Sequence, residues 1–471
     1  MPRHNNTRAL VWLRRDLRLS DSAALARATE NCEAVALALV FDKNILDPLQ
    51  DRSDRRVSFI HGSLAEIDRT LRERGSKLLV RCGDPVIEIP RLAAQLGVDA
   101  VFVNRDTEPY AMSRDPSVKS ALIGSTKWCE FKDQVLLESR EVISQSGSVF
   151  RSFTPYHRAW LSQLRACDVA EHWVQLSKLW PIGELPSGSE LPDLSEIGFT
   201  PSALWTEPGE SAGLGRLEAF AKIIDAYADR RDVPAADGTS GLSGYLRFGN
   251  VSIRRAFRLG FQSDTEGAVK WRSELIWREF YQMILANEPH LVEHAFRSEF
   301  DGISWSGEDA HFTAWASGTT GYPLVDAAMR CLNATGWMHN RLRMVTASFL
   351  VKDLLIDWRR GERYFAEKLL DFDLAQNVGG WQWCASVGVD ALPAFRIFNP
   401  VLQSRKFDPD GEFIRRWCPE LAHLDAQEIH WPHEGGLFRE SAYPRPIVDH
   451  QTQRKRALGL YASAGRLRSE Q

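Results

Sequence analysis

Ala9-Leu10-Val11-Trp12-Leu13, followed at once by Arg14-Arg15-Asp16, decides the fold class: it is an apolar run of strand length that ends against charge. The same form recurs within the first 130 or so residues, at Val35 to Phe41 before Asp42, at Lys77 to Arg81 before Gly83-Asp84-Pro85, and at Ala100 to Asn104 before Arg105-Asp106. Helix-period segments such as Arg56 to Arg74 and Val86 to Leu96 lie between these runs. Strands alternating with helices specify a parallel sheet covered on both faces. The expectation is therefore an α/β, Rossmann-like N-terminal domain. Ligands of such sheets bind at the carboxyl ends of the strands, where the charged residues fall. No Gly-x-Gly-x-x-Gly follows the first strand, so the usual dinucleotide fingerprint is missing.

Outward from this domain the pattern changes. Residues 180 to 215, from Trp180-Pro181 through Pro186-Ser187-Gly188-Ser189 to Pro208-Gly209-Glu210, are rich in Pro, Gly and Ser without periodicity and read as a connector. Beyond it the chain is helical with few convincing strands. A length of 471 residues suits two or three domains. The expected division is an α/β domain over residues 1–135, an interdomain connector over 136–212, and a larger all-α domain over 213–471.

Composition narrows the function classes. With 58 Lys and Arg against 62 Asp and Glu, the net charge of -4 excludes a globally basic nucleic-acid coat but leaves room for a local basic groove. At 44% hydrophobic and 25% charged residues the chain is globular. Its 16 Trp, 23 Phe and 9 Tyr suit wide helical cores, and suit proteins that handle flat rings. The longest apolar run, Ala34 to Phe41, falls short of the roughly 18 residues of a spanning helix. The apolar run after MPRHNNTR is too short for a signal peptide, and the expected location is cytoplasmic. Seven scattered cysteines without a CxxC suggest free thiols, with neither a disulfide framework nor a metal cage.

Four patches combine charge, amides and rings. In Trp271-Arg272-Ser273-Glu274-Leu275-Ile276-Trp277-Arg278-Glu279-Phe280-Tyr281, helical spacing puts Trp271, Glu274, Arg278 and Tyr281 on one stripe with Trp277 beside it. Ile276, Phe280 and Ile284 form a core face, and a surface pair of Glu274 and Arg278 with incidental indoles fits the same spacing. Gly336-Trp337-Met338-His339-Asn340-Arg341-Leu342-Arg343-Met344 opens a second helix, with Asn340 and Met344 on one side and Arg341 and Arg343 splayed to the flanks. Such a helix offers donors to an anionic cofactor or a phosphate backbone, although Met344 also suits core filling and His339 a packed position. The third patch, Asp371-Phe372-Asp373-Leu374-Ala375-Gln376-Asn377-Val378-Gly379-Gly380-Trp381-Gln382-Trp383, lacks the Gly and final Glu of a calcium loop, and its glycines allow close backbone approach to a ligand. The fourth runs from Arg231 through Asp237-Gly238-Thr239-Ser240-Gly241-Leu242-Ser243 and reads as a phosphate cradle or as a capped loop before a helix.

Together with Leu10-Val11-Trp12-Leu13-Arg14-Arg15-Asp16-Leu17-Arg18-Leu19 and Thr320-Gly321-Tyr322-Pro323-Leu324-Val325-Asp326-Ala327-Ala328-Met329-Arg330, these patches resemble the DNA photolyase and cryptochrome family over essentially the whole chain. The resemblance is closer to the bacterial class I cyclobutane pyrimidine dimer photolyases. It implies an antenna-binding α/β domain, a helical FAD-binding and DNA-binding domain, and light-dependent repair of pyrimidine dimers by electron transfer from excited reduced FAD to a flipped-out dimer, the activity of a deoxyribodipyrimidine photo-lyase. The implied flavin pocket comprises Tyr227, Thr239, Ser240, Leu242, Ser243, Trp271, Glu274, Arg278, Asn340, Arg343, Asp371, Asp373 and Asn377. In it Asn377 would face the flavin N5, where an amide is a poor proton donor, and the Arg343 cation would favour an anionic reduced flavin. The implied catalytic set is Glu274, Trp277, Asn340, Met344 and Trp383, and the implied DNA contacts are Arg231, Trp277, Arg341 and Trp383. Trp381, Trp358 and Trp305 match a chain of indoles that carries electrons inward; without the resemblance all three would read as core.

Phe372, Gln376 and Val378 depart from the family's usual acidic patch, and Gly241 stands where some members carry Arg, removing one possible phosphate contact. Val292 and Glu293 stand where folate-binding members carry Cys and Lys, whereas Asp42, Asp106 and Glu108 lie in segments similar to those of deazaflavin-binding members. The implied antenna is a deazaflavin in preference to methenyltetrahydrofolate. UV-damaged DNA, single- or double-stranded, is the expected partner of a monomer that uses no metal and no membrane. The rival is a cryptochrome-type blue-light sensor without repair activity. Sensors commonly replace the Asn or the dimer-stacking Trp that are kept here as Asn377 and Trp383.

Overall fold

A strand covered on both faces must be apolar along its length, and the central runs of this sheet are. The computed structural model describes residues 7–124, 126–144, 147–391, 393–433 and 442–467. In it β1 (Arg8–Trp12), β2 (Ala34–Asp42), β3 (Leu78–Gly83), β4 (Ala100–Asn104) and β5 (Lys127–Phe131) form one sheet in the order β3-β2-β1-β4-β5, with every pair parallel. Ala9 of β1 lies opposite Val35 on one side and Ala100 on the other. The fifth strand was not foreseen, because Lys127-Trp128-Cys129-Glu130-Phe131 sets two charges into a short, half-exposed edge segment. It is held by Phe131 stacked on Phe102 at 5.8 Å and by Trp128 edge-on to Trp12 at 6.3 Å.

Helices α1 (Ala23–Asn31), α2 (Arg55–Glu73), α3 (Pro85–Leu96) and α4 (Pro109–Ala121) make the crossovers. Asp54 and Asp84 cap α2 and α3, accepting from the N–H groups of Arg56 and Val86 at 2.7 and 2.9 Å. The winding reverses between β1 and β4, which opens a crevice at their carboxyl ends. The connector shields the β3 edge: Val80 N–H donates to Ser189 O at 2.7 Å, and the Arg81 guanidinium donates to Gly188 O at 3.0 Å. Two further helices are α5 (Glu210–Ala221) and α6 (Glu266–Asn287), the latter burying Trp271, Leu275, Ile276, Phe280, Met283 and Ile284.

The chain divides into two compact units, one comprising Met1–Ser148, His157–Ile224 and Ser240–Ala286, the other Val149–Tyr156, Asp225–Thr239 and Asn287–Gln471. The second is built on α7 (Pro323–Thr335), α8 (Asn340–Ser348) continued by a π-helical turn Phe349–Asp353, α9 (Trp358–Lys368), α10 (Leu374–Cys384) and α11 (His450–Leu467). Trp315, Leu324, Met329, Leu342, Leu350, Phe365 and Trp381 lie in its core. Asp326 ties down the turn before α7 by accepting from the N–H groups of Thr320 and Gly321 at 2.7 and 3.0 Å and from the Tyr443 hydroxyl at 2.5 Å. All seven cysteines are free thiols, and among the described residues no helix is long and apolar enough to cross a membrane.

Candidate functional site

The expected site residues are divided between the two units. In the first, Ser240 opens a tight turn: its hydroxyl accepts from Leu242 N–H at 3.3 Å, Leu242 is buried, and Ser243 is the exposed first residue of the short helix Ser243–Arg247. Gly241 has φ +63°, and a Cβ there would lie 2.7 Å from Arg216 Nε. Arg216 comes from α5 and donates to Ser240 O at 2.8 Å. Arg216, which sequence reasoning did not single out, thus sets a guanidinium beside the turn that holds Gly241.

On α6, Trp271 is buried, its indole N–H donating to Ala256 O at 3.0 Å and its ring 4.8 Å from Phe220. Glu274, one turn further, is partly exposed with Lys270 Nζ at 3.9 Å. Trp277 is half-buried against Phe280 and Tyr281 at 5.5 and 5.6 Å, and Arg278 donates to Gln134 O at 2.7 Å. Glu279 was also passed over. Its buried carboxylate accepts from the N–H groups of Leu136 and Leu137 at 2.5 and 3.2 Å and from the Trp160 indole at 2.7 Å. Burial pushes its pKa up to about 7 against these donors. A charged residue at a core position of the helical pattern was the signal for it.

The expected antenna residues lie at the carboxyl ends of two strands, Asp42 with one set of partners and Asp106 and Glu108 with another. Asp42, at the end of β2, accepts from the Tyr110 hydroxyl at 2.7 Å and has the Arg114 guanidinium at 3.8 Å. Beyond β4, Arg15 Nη1 lies 3.3 Å from Asp106 and 2.9 Å from Glu108, and Arg247 also pairs with Glu108. Burial works to raise the pKa of Asp106, but Arg15 and Arg14 overcome it and hold the carboxyl below its ordinary range. The cluster is a set of matched charges.

In the second unit, Tyr227 is buried with the Arg231 guanidinium 5.3 Å above its ring, and Thr239 is half-buried. His339 caps α8, its Nδ1 accepting from Arg341 N–H at 3.2 Å; it is a packed histidine, with burial lowering its pKa to about 4. Asn340 is exposed at the first position of α8, and Met344, one turn on, is half-buried. Arg343 is fixed twice, donating to Met338 O at 2.8 Å and to Asp371 Oδ2 at 2.7 Å. The other Asp371 oxygen, Oδ1, is buried and accepts no hydrogen bond from the described residues. Asp373 caps α10, accepting from Gln376 N–H at 3.3 Å.

Asn377, one turn into α10, is 9% exposed and donates its amide hydrogens to Glu362 O at 3.0 Å and Glu362 Oε1 at 2.9 Å. Those bonds engage the amide hydrogens, so the group has only its carbonyl oxygen left to offer. Glu362, on α9, is the partner of Asn377 that local sequence could not reveal, since the two lie 15 residues apart on successive helices. Trp381 and Trp358 are 2% and 1% exposed, while Trp305 is half-buried and edge-on to Tyr461 at 6.3 Å. Trp383 is half-buried.

Comparison with known proteins matches residues 9–175 to a family described as DNA photolyase, and residues 271–463 to the FAD binding domain of DNA photolyase. A deoxyribodipyrimidine photo-lyase from Synechococcus is 42% identical, covering 96% of each chain. Among solved structures, a class III photolyase from Agrobacterium tumefaciens superposes with TM-score 0.88 at 34% identity, covering 98% of both chains. A cryptochrome from Synechocystis superposes with TM-score 0.87 at 27% identity, covering 98% of this chain and 100% of the other.

Proposed function

The chain belongs to the DNA photolyase family, and from that membership we propose that it is a deoxyribodipyrimidine photo-lyase, splitting cyclobutane pyrimidine dimers in DNA under light as a cytoplasmic monomer that needs no metal. FAD, bound in its reduced form, would supply the excited electron that opens the cyclobutane ring and then returns, so that no net redox change results. The residues fit such a group. Asp371 Oδ1 is a buried acceptor in want of a donor, and a flavin ring carries N–H donors. Asn377 turns an amide oxygen outward because Glu362 occupies its N–H groups, so at the flavin N5 it accepts and does not protonate. Arg343, anchored by Met338 and Asp371, sets a cation where negative charge must be held. The Ser240–Ser243 turn, with Arg216 beside it, suits the diphosphate.

Chemistry on a stacked base requires its extrusion from the duplex. Trp277 and Trp383, half-buried indoles, wall the apolar side of the extruded dimer, while Glu274, Asn340 and Met344 meet its base edges. Arg231 and Arg341 take the flanking phosphates. Trp305, Trp358 and Trp381 pass electrons inward; Trp305 is half-buried and the other two are buried, which fits Trp305 as the outer end. At the carboxyl ends of the strands, Asp42, Asp106 and Glu108 with their arginines hold the antenna, a deazaflavin.

The observation that carries the reading is the Arg343–Asp371–Asn377 set, with one unpaired carboxylate oxygen and one outward amide oxygen. The test is the loss of thymine dimers from irradiated DNA incubated with the reduced protein in blue or near-ultraviolet light, against a dark control. Equal loss in both would reject it. The structural likeness to a cryptochrome favours a second reading, a light sensor, and the same assay separates the two: a sensor binds flavin and leaves the dimers intact.

A further inference from the structure

Asp232 is set between the two arginines just assigned to phosphates. Its Oδ2 lies 2.7 Å from Arg341 Nη2 and its Oδ1 lies 3.8 Å from Arg231 Nε. Each guanidinium is backed by a ring, Arg231 by Tyr227 at 5.3 Å and Arg341 by Phe407 at 4.4 Å. The third titratable group that feels Asp232 is His339, which burial keeps neutral. Asp232 is the most open member of the trio, its side chain 36% exposed against 15% for Arg231 and 20% for Arg341. A carboxylate that offers one oxygen to each of two guanidiniums presents the charge and the spacing of two non-bridging phosphate oxygens.

We propose that Asp232 is an internal stand-in for a DNA phosphate: it occupies and orders the Arg231–Arg341 pair in the free protein and must be displaced before that pair can grip the backbone. This rests on the reading of both arginines as phosphate contacts. Asp232, the member of both pairs most open to water, can swing out to solvent without leaving its own charge buried. A phosphate that replaces Asp232 exchanges one ion pair for another, so every complex made through these arginines carries the cost of that displacement. Undamaged DNA, whose binding is almost wholly electrostatic, has no lesion contacts to offset it. Asp232 thereby keeps the protein from lodging on intact DNA.

The experiment measures affinity of the flavin-bound protein for an undamaged duplex across a range of salt, for the native chain, Asp232→Asn and Asp232→Glu. Asp232→Asn is expected to bind roughly three- to tenfold tighter at low salt, with the slope of log K against log salt steeper by up to about 0.9, because no freed carboxylate takes up a cation. Asp232→Glu should stay near native behaviour. Retained flavin absorbance shows that the variants fold. Native binding that ignores salt would remove the phosphate reading and this proposal with it. A native slope that Asp232→Asn leaves unchanged would overturn the proposal alone. Weaker binding by Asp232→Asn, restored in Asp232→Glu, would also overturn it, since Asp232 would then hold the arginines in place without competing.

Discussion

Two carboxylates, Asp371 and Glu279, illustrate what burial does to single residues. Asp371 gives one oxygen to Arg343 and keeps the other buried without a donor among the described residues. Glu279 spends both oxygens on N–H donors inside the first unit, and burial still raises its pKa to about 7. A carboxyl raised in this way favours the folded state fully below its unfolded pKa of about 4.3, and that advantage is lost as pH rises through about 7. Urea titrations should therefore show native stability falling between pH 5 and pH 8 by on the order of 3 kcal/mol more than that of Glu279→Gln, which has no charge to bury. Parallel pH profiles for the two proteins would refute this. Glu274 could be read from helical spacing as a member of the charged stripe; Glu279, beside it on the core face, passed as one more charge because its partners Leu136, Leu137 and Trp160 are more than a hundred residues away in sequence.

Among the elements, α9 and α10 are matched at two neighbouring points. Gly361 and Glu362 on α9 meet Trp381 and Asn377 on α10, which stand one turn apart. A Cβ at Gly361 would fall 2.1 Å from Trp381 Cη2 and 2.5 Å from Leu350 Cδ2, so the glycine is what lets the indole lie against the α9 backbone. Alanine would gain up to about 1 kcal/mol in helix propensity, but overpacking a rigid, buried ring costs about 1–3 kcal/mol and should prevail. Gly361→Ala is expected to lower stability by roughly 1 kcal/mol in denaturant titration, and to cost less in a Trp381→Phe background, where the outer indole atoms that collide are gone. An equal cost in both backgrounds would mean that the strain lies elsewhere. The α8 cap follows a similar division: His339 was legible as a packed histidine, but not as the acceptor for Arg341 N–H.

At the scale of the whole molecule, a net charge of -4 coexists with arginines gathered at two places, the carboxyl ends of the sheet and the Arg231–Arg341 pair. The first collects Arg14, Arg15, Arg114 and Arg247 around Asp42, Asp106, Glu108 and Asp115, a matched network along the carboxyl ends of the strands. Chromophores released from the purified protein by acid and weighed by mass spectrometry should include FAD and a deazaflavin; FAD alone, or FAD with a folate, would reject the antenna assignment. The sequence alone determined the parallel sheet, the helical remainder and the family, because strand and helix periods and motif order are local properties of the chain. The outward amide oxygen of Asn377, the unpaired oxygen of Asp371, the Arg216 guanidinium beside Gly241 and the seat of Asp232 between two arginines were decided only by tertiary structure. Each depends on which groups from distant parts of the chain consume its hydrogen bonds or its charge, and no sequence spacing encodes that.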